Sequence, residues 1–581
     1  MKKLMVFLKD YKKESVLAPL FKMLEASFEL MVPLVVKKIV DIGIGTGDKS
    51  YVFRMCLVMI TLGIIGLICS ITAQFFSAKA AVGFATKLRH SLFSHIQKLS
   101  YSQMDICGTS TMITRLTSDV NQTQNGINMV LRLFLRSPFI VVGAMIMAFT
   151  INVQAALIFA VVIPLLSIIV FGIMLISIPL YKKVQAGLDQ VLHITRGNLT
   201  GVRVLRAFHK ENEEIAEFGD SNEKLTAMQM FVGRISAVMN PVTYIVINGG
   251  LIGLLWIGAI KVDTGILTQG AVLALVNYMS QILVELVKLA NLIITVNKSL
   301  ACANRIEGIL SMKPDMEPSL ANESYEQSHK TDNVVEFDHV SLTYPGAGAE
   351  SLSDINFCIK HGQTVGIIGG TGSGKTSLVN LIPRFYEATR GSVKVDGIPV
   401  SAYSLDKLRD KIGMVPQKAI LFKGTIRENL LMGKADATEV ELRKALEISQ
   451  SMEFVEKKSE GLDTQVSQGG KNLSGGQKQR LTIARALVKQ PKVLILDDSA
   501  SALDYATDLK LRRAIGSMEQ PPAVFIVSQR ASAVLGADLI LVLEDGEMAG
   551  MGTHEQLLAS CEVYQEIYYS QYPDHRKEVV S

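Results

Sequence analysis

The residues with the clearest capacity for chemistry form a glycine-rich loop in the second half of the chain. The stretch fits the pattern G-x-x-x-x-G-K-[ST], and its members are Gly369, Gly370, Thr371, Gly372, Ser373, Gly374, Lys375 and Thr376. Glycines let the backbone curl, so that successive N–H groups point at phosphate oxygens near a helix N-terminus. Lys375 would reach the β- and γ-phosphates of a nucleotide, and Thr376 would bind Mg²⁺. The flanking pattern predicts a strand before the loop and a helix after it.

Two adjacent carboxylates end the apolar stretch KVLILDD, downstream of the loop. Asp497 suits the acid that holds Mg²⁺ in P-loop nucleotide hydrolases. Asp498 stands where an acid could position or deprotonate the attacking water. The alternative is that Asp498 only caps the turn after the strand, because Asp favours turns.

A second glycine motif, LSGGQ, comprises Leu473, Ser474, Gly475, Gly476 and Gln477 and precedes a helical pattern. Together with the phosphate loop, this motif resembles the signature of the ABC transporter superfamily. The resemblance covers essentially the whole chain. It implies two ATPase domains that close head to tail, so that each ATP lies between one chain's phosphate loop and the other chain's signature.

The resemblance also implies roles for residues outside these two loops. Tyr344 of LTYP corresponds to the aromatic residue that stacks on adenine, and Gln417 of MVPQ to the Q-loop residue that contacts Mg²⁺ and senses the membrane domain. The SALD stretch that ends at Asp504 corresponds to the D-loop. Two cytoplasmic segments, near Ser102–Thr111 and Val204–Phe218, would be coupling helices that dock on the ATPase domains.

Two residues differ from the family pattern, and both differences would weaken ATP hydrolysis. The family's usual acid after the Mg²⁺ aspartate is glutamate, but here it is Asp498, which withdraws the carboxylate by about 1.5 Å. A misplacement of about 1 Å can cost on the order of a hundredfold in rate. The family's switch histidine is replaced by Gln529 in VFIVSQR. An amide can hydrogen-bond a phosphate, but it does not carry a proton as imidazole does.

These departures predict an ATP site, with Asp498, Gln529 and Gln417 in catalytic roles, that binds nucleotide well and hydrolyses it poorly. The signature motif is intact and would serve the ATP held by a partner. This asymmetry resembles the degenerate-site subunit of heterodimeric bacterial multidrug exporters. The predicted partner is a homologous half-transporter with the missing Glu and His.

The first half of the chain reads as a membrane domain, because a spanning helix needs about 20 mostly apolar residues. The sequence between Ser137 and Tyr181 has no charged side chain and predicts two spans with a turn at Thr150–Gln154. The remaining predicted spans are about Val16–Val40, Met55–Ala78, Ile235–Ile260 and the helix that begins at Thr264. Lys and Arg concentrate in the two long connections and at the N-terminus, which places both termini in the cytoplasm.

Glu25 and Glu29 lie four residues apart within the first and weakest span, on one face of a helix. Intramembrane carboxylates usually face a cavity or a partner, so one hypothesis is a site for cationic substrates. The other is an ion pair between Lys22 and Glu25 in a short, tilted span near the interface.

Composition agrees with a two-part chain. It has 581 residues, 49% hydrophobic and 19% charged, with a net charge of +5. The small charge gives no reason to expect nucleic acid. The six cysteines include no CxxC pair, so neither a disulfide framework nor a zinc site is expected. We predict an all-α, six-helix transmembrane domain over 1–310, a linker over 311–332 and an α/β P-loop ABC ATPase domain over 333–581.

The predicted function is ATP-driven export of drugs or other amphiphilic compounds across a bacterial plasma membrane. ATP and Mg²⁺ are the expected ligands, and a second half-transporter and the lipid bilayer are the expected partners. The alternatives are a homodimeric lipid or peptide exporter and an ATP-gated regulator or pore.

Overall fold

The structure, a computed structural model, describes residues 4–316, 332–499 and 503–574. The chain divides into two compact units. Met1–Lys98 and Thr109–Lys313 form the helical unit, whereas Leu99–Gly108 and Pro314–Ser581 form the α/β unit. Most of the predicted linker lies outside the described residues.

Long helices make up the helical unit. The chain runs through a short 3₁₀-helix, Leu4–Tyr11, and a π-helix, Ile39–Ile44, on either side of the first helix. In chain order the helices are α1 (Lys12–Lys38), α2 (Lys49–Ile96), α3 (Tyr101–Cys107, in the α/β unit), α4 (Thr109–Thr114), α5 (Val120–Leu133), α6 (Arg136–Ile151), α7 (Val153–Ala207), α8 (Glu211–Asp263) and α9 (Gln269–Leu310).

Five helical stretches among the described residues are long and apolar enough to cross a membrane. They are Lys49–Ile96, Thr109–Ile151, Val153–Ala207, Glu211–Asp263 and Gln269–Leu310. Helix α1 is not among them, and its middle carries three charged residues, Lys22, Glu25 and Glu29. The all-helical membrane domain is therefore confirmed, while the count of six spans stays a prediction.

The predicted turn between the two uncharged spans is confirmed at a single residue. Helix α6 ends at Ile151 and α7 begins at Val153. Asn152 between them has an extended backbone (φ −162°), and its side chain accepts a hydrogen bond from the N–H of Ala155. An Asn side chain at this position caps the new helix and satisfies one of its free N–H groups.

Helix α1 belongs to the packed core of the helical unit although it carries charged residues. Ala26 and Leu30 of α1 lie in a buried cluster with residues of α6 to α9. The hydroxyl of Tyr278, which is fully buried, donates to the carbonyl oxygen of Leu30 at 2.7 Å. Burial of the ring and satisfaction of the hydroxyl together fix α9 against α1.

The described part of the α/β unit contains three sheets. Its strands are β1 (Asn333–Leu342), β2 (Leu352–Lys360), β3 (Thr364–Gly369), β4 (Arg390–Val395), β5 (Ile398–Pro399), β6 (Ile412–Val415), β7 (Gly424–Thr425), β8 (Gln465–Val466), β9 (Val493–Asp497), β10 (Ala523–Val527), β11 (Leu539–Glu544) and β12 (Glu547–Gly552). Its helices after α3 are α10 (Lys375–Leu381), α11 (Leu405–Asp410), α12 (Ile426–Leu431), α13 (Glu439–Ile448), α14 (Met452–Glu456), α15 (Gly475–Leu487), α16 (Tyr505–Gly516), α17 (His554–Ser560) and α18 (Glu562–Gln571).

The six-stranded sheet, in the order β12-β11-β3-β10-β9-β6, positions the predicted chemistry. Strands β3, β6, β9, β10 and β11 are parallel, and only β12 among the strands of this sheet is antiparallel. Val527 pairs with Asp497 on one side and Ile367 on the other, so the carboxyl ends of three strands share one edge. Strand β9 is buried throughout, as expected for a parallel strand covered on both faces.

The other sheets flank this core. A four-stranded antiparallel sheet has the order β2-β1-β4-β5, and β7 pairs with β8. The rings of Phe337 and Phe357 stack with centroids 4.6 Å apart inside the core.

Candidate nucleotide-binding site

The glycine-rich loop joins the end of β3 to the start of α10, as the sequence predicts. Gly372 and Gly374 adopt left-handed backbone angles, φ +87° and +92°. A Cβ on Gly374 would lie 2.9 Å from the carbonyl oxygen of Ser351 and 2.7 Å from Leu352. Only glycine therefore fits at Gly374, whereas Gly370 and Gly372 face open space. The space next to Gly370 and Gly372 therefore lets a ligand approach the backbone of the loop.

Lys375 and Thr376 begin α10 and face the carboxyl end of β9. The ammonium of Lys375 donates to the carbonyl oxygen of Gly369 at 3.0 Å and to Ser373 Oγ at 3.2 Å. Thr376 Oγ1 lies 3.2 Å and 3.1 Å from the two carboxylate oxygens of Asp497. The structure therefore brings together the hydroxyl and the carboxylate that the sequence assigns to Mg²⁺.

Burial shifts the pKa values of two charged groups in this part of the site. Burial lowers the pKa of the Lys375 ammonium, although the carboxylates of Asp497 and Asp498 act against that shift. Burial also raises the pKa of Asp497, and the neighbouring charge of Asp498 adds to the rise. A divalent cation at this position would offset the cost of two adjacent carboxylates.

Asp498 contacts the glutamine of the Q-loop. Its backbone is left-handed, with φ 46°, and its N–H donates to the carbonyl oxygen of Val527 at 2.9 Å. Gln417 Nε2 donates to Asp498 Oδ2 across a long distance of 3.4 Å. Asp is one of the residues that tolerate the left-handed region, so the site accommodates this shorter acid without unusual strain.

One cleft of about 760 Å³ collects most of the predicted site residues. Its lining includes Tyr344, Thr371, Gly372, Gly374, Lys375, Thr376, Gln417, Asp497, Asp498 and Gln529. Tyr344 lines the cleft, and its hydroxyl donates to Ser377 Oγ at 2.9 Å. Ser377 and Asp545 also line the cleft but were not predicted, because neither belongs to a recognisable motif.

The signature motif stands elsewhere in the α/β unit. Ser474 caps α15, where its hydroxyl accepts from the N–H of Gln477 at 3.3 Å and the Gln477 side chain accepts from the N–H of Ser474 at 3.1 Å. Leu473 is buried in the hydrophobic core of the α/β unit. None of the signature residues, Leu473 to Gln477, is among the described residues that line the cleft. Ser474 and Gly475 at this helix N-terminus are exposed.

The D-loop is described only from Leu503 onward, because Ser501 and Ala502 lie outside the described residues. Asp504 caps α16, accepting from the N–H of Thr507 at 2.9 Å and from its hydroxyl at 2.7 Å. These hydrogen bonds lower the pKa of Asp504.

The residues present fit a magnesium nucleotide. No group of three or more His, Cys, Asp or Glu side chains within residues 4–316, 332–499 and 503–574 could hold a metal ion by itself. Mg²⁺ is usually held by one or two carboxylates together with substrate phosphates, which matches the pair Thr376–Asp497 beside an open phosphate loop. The bound nucleotide would supply the phosphate oxygens that complete the coordination.

Comparison with known proteins identifies the family. Residues 15–286 match the description "ABC transporter transmembrane region", and residues 352–501 match "ABC transporter". The "Uncharacterized ABC transporter ATP-binding protein YfiB" of Bacillus subtilis is 36% identical over 572 residues, 98% of this chain and 99% of that protein. The chain belongs to the ABC transporter family.

Two further relatives and one solved structure resemble this ABC transporter along most of its length. An "ATP-dependent lipid A-core flippase" of Desulfotalea psychrophila is 33% identical over 484 residues, 83% of this chain and 84% of that protein. The "Putative multidrug export ATP-binding/permease protein YgaD" of Bacillus subtilis is 31% identical over 584 residues, 96% of this chain and 97% of that protein. The solved "Structure of a bacterial Atm1-family ABC exporter with ATP bound" shares the fold, with a TM-score of 0.78 at 23% identity over 96% of this chain and 98% of that one.

The predicted architecture of a half-transporter, with helical membrane and ATPase domains, is therefore confirmed. The first predicted coupling segment corresponds to α3, which belongs to the α/β unit of the ABC transporter. The ring of Tyr101 stacks on Phe385 with centroids 4.5 Å apart, and the Tyr386 hydroxyl donates to Asp105 at 2.7 Å. The second segment spans the end of α7 and the start of α8, in the helical unit.

The predicted membrane carboxylates of the transporter both take part in ion pairs. Glu25 Oε2 lies 2.5 Å from Lys22 Nζ, as the alternative interpretation expects. Glu29 Oε2 lies 2.7 Å from Arg136 Nη2, and Arg136 Nη1 lies 2.7 Å from Glu285 Oε1. The Glu285 side chain is only 3% exposed, whereas that of Glu29 is 40% exposed. The arginine bridge was not predicted, and the substrate role of Glu25 and Glu29 stays a prediction.

Proposed function

We propose that this chain is one half of a heterodimeric ABC exporter, which uses ATP to move drugs or other amphiphilic compounds out across a bacterial plasma membrane. The observation that carries the proposal is the composition of the cleft. Asp498 and Gln529 line the same cleft as Lys375, Thr376 and Asp497. The groups that bind nucleotide are thus complete, while the groups for hydrolysis are an acid one carbon shorter than glutamate and an amide.

The proposed division of labour follows from what each side chain can do. Lys375 would hold phosphate oxygens and Thr376 and Asp497 would hold Mg²⁺, so this chain would retain nucleotide through several transport cycles. Asp498 and Gln417 would position the attacking water only loosely, because their contact is long at 3.4 Å. The signature motif at the start of α15 would complete the partner's site, where a glutamate and a histidine would hydrolyse ATP at the usual rate.

The cargo class rests on the membrane unit and on the relatives. Amphiphilic substrates suit a helical unit with five long apolar helices and a first helix that carries Lys22, Glu25 and Glu29. One relative is named as a lipid A-core flippase and another as a putative multidrug export protein. Both names describe movement of amphiphilic molecules across a membrane. Glu29, the more exposed of the paired carboxylates, is the proposed contact for cationic cargo.

The proposed orientation of the chain in the membrane is inferred from the positions of its Lys and Arg residues. The N-terminus, the two long connections and the α/β unit would lie in the cytoplasm, since Lys and Arg are enriched on the cytoplasmic side of membrane proteins. Cargo would then leave from the cytoplasm or the inner leaflet.

Two other functions are compatible with the same fold. A homodimeric exporter of lipid or peptide would have two slow sites, and the lipid flippase relatives favour its lipid form. An ATP-gated pore or regulator would use the same domains to open a passive path.

Transport by the purified complex in inside-out proteoliposomes tests the proposal. We expect ATP-dependent accumulation of an amphiphilic cationic dye, in proportion to ATP hydrolysed, and we expect Lys375→Ala to reduce nucleotide binding by this chain. A large passive flux that persists without hydrolysis would contradict the pump and favour the pore.

A further inference from the structure

Gln571, the last residue of α18, holds the backbone segment that carries Gln529. Its side-chain Nε2 donates to the carbonyl oxygen of Gln529 at 2.9 Å. Its Oε1 accepts from the backbone N–H of Ala531, also at 2.9 Å. A glutamine amide offers one acceptor oxygen and a donor group on the same plane. The amide therefore spans Arg530 and bonds the backbone on both sides of it.

The helix that carries Gln571 is fixed by the core. Tyr564 of α18 is fully buried and Tyr568 nearly so, in a cluster with Ile368 and Val542. Ile368 is the residue immediately before Gly369, the first glycine of the phosphate loop. The Tyr564 hydroxyl also lies 2.8 Å from His554 Nδ1 of α17. Helix α18 thus rests on the strand that leads into the nucleotide site.

Residues 529–531, the segment that Gln571 hydrogen-bonds, follow the end of β10 and lie outside the sheet. The N–H of Ser528 still pairs with the carbonyl oxygen of Ile367 at 3.0 Å, but Gln529 and Arg530 beyond it are exposed. Within the segment, the N–H of Arg530 is satisfied locally by Ser528 Oγ at 3.0 Å. Bonds to a neighbouring, core-anchored helix therefore restrain a stretch that strand pairing no longer holds.

We propose that Gln571 is a positioning residue for ATP hydrolysis. By fixing the backbone of residues 529–531, it determines where the Gln529 amide lies relative to the γ-phosphate. The inference rests on the proposed role of Gln529 in the cleft and extends it to a residue outside the cleft. It also connects the C-terminal helix to the timing of the ATP cycle.

The first test needs no nucleotide. In the full-length, ATP-free complex, Gln571→Ala removes the acceptor for the Ala531 N–H, so exchange of that amide with deuterium should accelerate about fivefold or more. The matched control is Gln565→Ala on the same helix, whose Nε2 donates to the Leu558 carbonyl oxygen at 2.7 Å, away from the segment. Equal exchange at Ala531 in wild type and Gln571→Ala would overturn the inference.

The second test uses a double-mutant cycle on single-turnover hydrolysis at this chain's own site, read as the ratio of ADP to ATP bound to this chain, and on release of that bound nucleotide. Gln571→Ala should slow the same step as Gln529→Ala, by about tenfold, with the affinity of this chain's site for ATP unchanged, because loosening a catalytic group costs less than displacing it fully. Gln571→Glu keeps the acceptor for Ala531 but loses the donor to Gln529, and should give a smaller change. In the Gln529→Ala background, Gln571→Ala should add nothing, since residues that act as one unit are not additive.

The outcomes distinguish the positioning role of Gln571 from the proposed role of Gln529. Additive effects of the two substitutions, or a silent Gln571→Ala beside an impaired Gln529→Ala, would overturn the positioning role alone. A silent Gln529→Ala would overturn the proposed role of Gln529 and the positioning role with it. Because Gln571 is exposed, its substitution should change the free energy of unfolding only by the small amount usual for surface residues.

Discussion

Replacing Asp498 with glutamate should increase the rate of ATP hydrolysis at this chain's own site. The added methylene carries the carboxylate about 1.5 Å further from the backbone. In the structure, Gln417 Nε2 reaches Asp498 Oδ2 only at 3.4 Å, so the shorter acid leaves the contact loose. A misplacement of about 1 Å can cost on the order of a hundredfold. Because Gln529 remains an amide, we expect the rate of hydrolysis to rise about tenfold rather than about a hundredfold.

The assay is single-turnover hydrolysis, read as the ratio of ADP to ATP bound to this chain after rapid quenching of the purified complex. Asp498→Gln is the matched control, since it has the length of glutamate without the charge, and it should not raise the rate. The left-handed backbone at φ 46° disfavours glutamate slightly, so a stability loss of about 1 kcal/mol is expected. If Asp498→Asn abolished turnover as completely as loss of the partner's glutamate, the interpretation of a degenerate site would be wrong.

Three further substitutions test separate parts of the structure. Gly374→Ala should reduce nucleotide affinity more than tenfold in a fluorescent-nucleotide titration, because its φ of +92° and a close backbone carbonyl exclude a side chain. Asp396→Asn should lower Tm by about 2–4 °C at pH 7; burial raises the pKa of Asp396, but Lys492 and Lys411 lower it more. The stabilisation from a depressed carboxyl pKa is present above the unfolded value near 3.8 and is lost as pH falls through the folded value, so the Tm difference should vanish in acid. Glu29→Gln should change which cationic substrates are transported, and unchanged transport of every cation tested would contradict the proposed contact.

Local motifs made the core of the nucleotide site predictable from sequence. The loop from Gly369 to Thr376 needs glycines at fixed spacing, and the apolar run that ends in Asp497 can only be a buried strand, so both were placed correctly. The helix break at Asn152 was predictable for a similar reason, because a polar stretch between two long apolar runs forces a turn. The positions of Gln417 and Gln529 in the cleft followed from family resemblance rather than from spacing.

Contacts between distant residues were not predictable. Arg136 and Glu285 are 149 residues apart, and Gln571 and Gln529 are 42 apart. Hydrophobic periodicity specifies which face of an element is buried, but it does not specify which polar groups meet when elements pack. The pairing of Glu29 in α1 was not predictable for the same reason, since its partner Arg136 lies in α6.

Native mass spectrometry of the complex, drawn from its own membranes by a tag on this chain, tests the central claim most directly. We predict a one-to-one complex with a different half-transporter, whose sequence has glutamate and histidine at the positions of Asp498 and Gln529. Two copies of this chain alone would contradict the account, because Asp498 and Gln529 would then have to support hydrolysis themselves.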